Sequence, residues 1–98
     1  MVVTLFSDAE ARYLAWLAAN PTGWVVNTTR RPDPEYLVLH RATCASISTA
    51  HANYTTHGYM KVCAQTRADL EAWGRDHVRG QVTCTCHCLG CDAPTSRG

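Results

Sequence analysis

With 98 residues and a formal net charge of +1, the chain has room for one domain and is not a strongly electropositive protein. No apolar stretch is long enough to span a bilayer as a helix. Arginine outnumbers lysine eight to one, a bias expected of a GC-rich bacterial or phage genome.

Met1 to Phe6 is a short apolar run with neither the basic start nor the small-residue cleavage site of a signal peptide, so a cytoplasmic location is expected. Ser7 and Glu10 have the spacing of a capping box, and Asp8 adds negative charge near the positive end of a helix. The periodicity of Tyr13, Leu14, Trp16, Leu17 and Asn20 predicts that helix, and Asn20-Pro21-Thr22-Gly23 ends it. Trp24 to Thr28 is aromatic and β-branched, and Tyr36 to Arg41 alternates Leu37 and Leu39 against Tyr36, Val38 and His40. The two prolines between them make a stiff polar connection, so the pair reads as a hairpin with Arg30 and Arg31 at its tip.

Thr43 to Gly58 is small and polar and reads as a loop, anchored by Ala45, Ile47 and Ala50. Tyr59 to Ala64 is a third strand, with Met60, Val62 and Ala64 on one face and Tyr59, Lys61 and Cys63 on the other. Thr66 caps a second helix with Asp69 at the box position. Leu70, Trp73 and His77 mark its buried face and Gly80 its end. The reading is an α+β fold in α-β-β-β-α order. A small three-stranded antiparallel sheet carries two helices on one face and a cysteine-rich, zinc-binding C-terminal tail. Residues 1–91 form the domain, and 92–98 are expected to be a disordered tail. The element order alone resembles that of double-stranded-RNA-binding domains. Thr66-Arg67-Ala68-Asp69 lacks the lysine-rich start of their last helix, so no family is identified.

The most specific feature is Cys84-Thr85-Cys86-His87-Cys88-Leu89-Gly90-Cys91, four thiols and an imidazole in eight residues. Successive cysteines this close strain against bridging one another, and Cys88-x-x-Cys91 has the spacing that lets two sulfurs hold one tetrahedral ion. Zinc is the expected cofactor. The other two ligands come either from Cys84 and Cys86 or from the His40-x-x-x-Cys44 pair at the end of the second strand. Cys63 is expected to be a buried small hydrophobe. The alternative use of six cysteines is a secreted scaffold with three disulfides.

Thiol-rich ligation favours a closed structural site over a catalytic one, and a deaminase-type His-x-Glu with Pro-Cys-x-x-Cys is absent from the sequence. Asn27, Arg30, Arg31 and Arg41 offer amide and guanidinium groups for phosphate oxygens, and Lys61 adds a cation. Tyr54 and Tyr59 offer rings for exposed bases. The expected function is therefore a zinc-binding module that binds nucleic acid within a bacterial or phage regulatory or defence system. The rival is a protein-interaction module with a structural zinc. An enzyme would need Cys44 activated by His40, His51 or His57, and nothing in the sequence orients such a pair.

Overall fold

The computed structural model describes residues 2–44, 47, 55 and 58–83. The elements are β1 (Thr4–Phe6), α1 (Glu10–Ala19), β2 (Trp24–Thr29), β3 (Val38–Arg41), β4 (Tyr59–Ala64) and α2 (Arg67–Trp73), which continues into a π-helical turn at Gly74–Val78. The fold is α+β, with a four-stranded antiparallel sheet in the order β1-β4-β2-β3. The expected three strands are one too few. β1 is three residues long and its exposure does not alternate, so periodicity cannot reveal it. Pairing of Thr4 with Cys63 and Phe6 with Lys61 creates it.

The helices do not share a face. Val25, Val26, Val62 and Cys63 are all fully buried, although neighbours along a strand point to opposite sides. Two cores result. Val26, Leu39, Val62, Leu70 and Trp73 pack on the α2 side, and Phe6, Tyr13, Leu17, Val25, Ile47 and Cys63 on the α1 side. Both faces of the central strands are apolar, so each needs its own helix. At about 1.5–3 kcal/mol per large side chain fully buried, neither core is dispensable in a domain this small.

Local signals fare unevenly. Thr66 does cap α2, its hydroxyl accepting from the Asp69 N–H at 3.2 Å. The first helix starts differently from the expected capping box. Its N-cap is Ala9 with no side-chain cap bond, and the Glu10 carboxylate instead accepts from the Thr55 N–H and hydroxyl, both at 2.9 Å. A long-range partner has outcompeted the local one. His77, expected on the buried face, is exposed, because the π-helical turn shifts the phase of the helix after Trp73.

The helix ends at Arg79, whose left-handed backbone (φ 63°) takes the position that glycine commonly fills. Gly80 then passes tightly against Pro34. Beyond it, Thr83 pairs in parallel with β3: the Thr83 N–H donates to Leu37 O and its carbonyl accepts from the Leu39 N–H, both at 2.8 Å. Thr83 thus pairs with the outer edge of β3 and runs in the same direction as that strand, the direction of His40.

Candidate functional site

Cross-strand register decides which of the sequence-selected residues meet. Asn27 opposes Lys61, Thr29 opposes Tyr59, and Val25 opposes both Cys63 and His40, so these side chains share the α1 side of the sheet. Arg41 opposes Trp24 on the other side and lies over its ring at 4.4 Å. Arg30 and Arg31 stand exposed beyond the end of β2, with Arg30 joined to Asp8 at 2.6 Å. The single surface expected from Asn27, Arg30, Arg31, Arg41, Tyr59 and Lys61 is therefore split between the two faces. Asn27, Tyr59 and Lys61 stay together. Tyr54 lies outside the described residues.

Lys61 occupies the centre of this group. Its side chain is only 3% exposed. Burial pushes its ammonium down to about 8, against the opposing pull of the Glu10 carboxylate and of Cys63. Its nitrogen lies 5.8 Å from the centre of the Tyr59 ring. Asn27 donates from Nδ2 to the Tyr36 hydroxyl at 2.9 Å, and its Oδ1 is buried with no hydrogen-bond partner among the described residues. The rings of Tyr36 and Tyr59 meet at 6.3 Å, tilted by 53°.

Three members of the site were not foreseen from sequence. Tyr36 lies in the hairpin connection rather than in a strand. Glu10 looked like a helix cap, and Thr55 sat in a featureless polar loop. The structure brings Thr55 to the start of α1, where its hydroxyl also accepts from the Ala9 N–H at 3.0 Å and its carbonyl from the Asp8 N–H at 2.7 Å. No local pattern signals contacts across 45 residues of chain.

A charged lysine in this position costs stability, which yields a prediction. Lys61→Met removes the cost of desolvating the ammonium, and Glu10 keeps its hydrogen bonds to Thr55. The pKa of about 8 already includes the attraction to Glu10, and the variant is expected to be more stable at pH 7 by about 1–3 kcal/mol. The folded pKa, about 8, lies below the ordinary 10.5, so between these values the unfolded chain holds more protons. Wild-type stability therefore rises with pH across that window, and the advantage of the variant shrinks toward pH 10. Urea titrations of both proteins at pH 7 and pH 10 check this. A constant difference between them contradicts it.

The candidate metal ligands divide into two sets. Cys84, Cys86, Cys88 and Cys91 lie outside the described residues, as does His87. His40 and Cys44 are described. His40 is 7% exposed, and burial followed by the Lys61 charge lowers its pKa to about 4, leaving the neutral imidazole that a metal requires. The chain turns directly after β3, the Cys44 N–H donating to Arg41 O at 2.9 Å, as a His-x-x-x-Cys pair needs if it is to converge. Cys44 itself is half-buried at that turn.

Cys63 is a free, fully buried thiol that burial pushes up to about 12, as expected of a small core residue. Among the described residues alone, no three His, Cys, Asp or Glu side chains are placed to hold a metal.

Elsewhere, a cleft of about 420 Å³ lies between α2 and the Gly80–Val82 segment, lined by Arg67, Glu71, Arg75 and Gln81. Arg67 is paired with Glu71 at 3.0 Å and Arg75 with Asp76 at 3.6 Å, so its cations are already opposed by carboxylates. Among the described residues no helix is long and apolar enough to cross a membrane. Compared with known proteins, the chain matches no family model, no curated protein and no solved structure.

Proposed function

We propose that the chain is a small zinc-stapled module that binds nucleic acid, serving a bacterial or phage regulatory or defence system. The observation that carries the binding role is the Asn27, Tyr36, Tyr59 and Lys61 group. It combines a lysine held at a cost to stability, an amide with a buried unpartnered atom and two rings, on one face of the sheet. Such groups contribute little to folding, and residues retained at the expense of stability concentrate at working sites. Arg31, exposed just beyond β2, supplies a cation for phosphate oxygens, beside Arg30, whose charge is shared with Asp8.

The proposed zinc is structural. Cys88 and Cys91 are its core ligands. Thr83 runs parallel to β3 toward His40 and Cys44, which favours those two as the others over a site made wholly of Cys84, Cys86, Cys88 and Cys91. When bound, zinc supplies a tetrahedral cross-link, and the protein groups themselves make the contacts to the ligand.

A salt titration tests the binding role. Affinity for single-stranded DNA or RNA, followed by fluorescence anisotropy, is expected to fall with salt, with the modest slope of only a few phosphate contacts. Arg31→Ala should lower that slope by about one. If no single- or double-stranded DNA or RNA binds at low salt, the nucleic-acid reading is wrong. The protein-interaction reading then takes its place, favoured by the exposed apolar Val2 and Leu5 at the β1 end of the sheet, 77% and 49% accessible.

A further inference from the structure

The Asn27 amide is the least explained polar group in the fold. Its Oδ1 is buried with no partner among the described residues while Nδ2 donates to the Tyr36 hydroxyl at 2.9 Å. Exchanging the two amide atoms does not remove the problem, since Tyr36 then donates to the oxygen and the nitrogen is orphaned instead. Native proteins rarely leave such a group unsatisfied, and each instance calls for a reason. The surroundings suggest one. Tyr59 is 42% exposed and the Tyr36 ring lies 6.3 Å from its ring, forming an aromatic rim beside the amide. Lys61, directly across the strand pair from Asn27, adds positive charge behind that rim.

We propose that this face takes one unpaired nucleobase, stacked on Tyr59, whose exocyclic amine donates to Asn27 Oδ1 while the adjacent ring nitrogen accepts from Tyr36 or Lys61. The inference rests on the nucleic-acid reading and deepens it from phosphate tracking to base recognition. Adenine and cytosine both present an amine beside an acceptor nitrogen. Thymine presents a ring N–H between two carbonyls and has no amine to give. Stacking is indifferent to base identity, so discrimination falls to the amide.

The test uses the full chain and a fluorescent twelve-nucleotide thymidine strand, unmodified or carrying one central adenine, cytosine or abasic residue. The adenine and cytosine strands are expected to bind roughly tenfold tighter than the unmodified strand. The abasic strand should be no better than the unmodified one. Asn27→Leu should erase the preference, and Tyr59→Ala should weaken the adenine and cytosine strands most. Tyr59 is partly exposed, so its variant keeps the fold even where Asn27→Leu does not, and thermal melting of each variant checks this. If all four strands bind alike, or if the preference survives both variants, the base site is overturned while the nucleic-acid reading stands. If no strand binds at low salt, both fall.

Discussion

Serine in place of Cys88 or Cys91 is expected to leave the reduced protein without zinc and largely unfolded. A structural zinc in a small domain contributes on the order of 10 kcal/mol, and native stability is only about 5–15 kcal/mol. Removing one of four ligands therefore threatens the whole margin. The wild-type chain, purified without chelator and under reducing conditions, should hold about one equivalent of metal by elemental analysis, as a tetrahedral site requires. Its melting transition should collapse when a strong chelator is added. Cys44→Ser separates the two ligand schemes. Metal lost with that variant places Cys44 in the site, and metal retained assigns it to the tail cysteines alone. Cys63→Ala is the control: it opens a small cavity in the α1-side core, should cost roughly 1–2 kcal/mol, and should keep the metal. A metal-free wild type that melts unchanged would end the zinc reading.

Gly80→Ala carries the next largest expected effect. A methyl there would lie 2.6 Å from Pro34 Cα, closer still to the Pro34 carbonyl oxygen, and 2.9 Å from Leu37 Cδ1. Two of those atoms are backbone and cannot turn aside, so either the hairpin connection or the end of the helix must move. The cost should reach about 3 kcal/mol, the upper part of the range for overpacking. Gly58→Ala provides the contrast. Its φ is +86° and, among the described residues, nothing lies within 4 Å of a new methyl, so only backbone strain of roughly 1 kcal/mol is expected. Gly80 also leads directly into the Thr83 pairing with β3. If that pairing aims the thiols at His40 and Cys44, Gly80→Ala should weaken zinc affinity as well as lower the melting temperature. Unchanged affinity would mean that the direction of Thr83 does not serve the metal.

Much of the local structure was legible because its causes are local. The Thr66 cap, the two aromatic and β-branched strands that became β2 and β4, and the hairpin around its two prolines all follow from neighbouring residues. The buried character of Cys63 followed from its place in a strand. Pairing, however, is a property of partners distant in sequence. β1 exists only because β4 presents an unfilled edge to it, and Glu10 turned from cap to anchor because Thr55 arrives from 45 residues away. The helices expected on one face lie on two because β2 and β4 are apolar on both sides. That became clear only when the register showed which neighbours were buried.

The same division runs through the candidate site. The thiol run from Cys84 to Cys91 and the residue types Asn27, Tyr59 and Lys61 were evident from sequence, since their chemistry does not depend on context. Whether they converge does depend on it. A one-residue difference in strand position sends a side chain to the opposite face, and this removed Arg41 to Trp24 while seating Asn27 beside Lys61. Burial then acted on what register had assembled, lowering the pKa of Lys61 and leaving one amide oxygen of Asn27 without a partner. Composition and spacing determine which reactive groups the chain carries, because those are properties of single residues and short segments. Tertiary structure alone decides which of them meet and how far water is excluded from them, because both depend on strands paired across the chain.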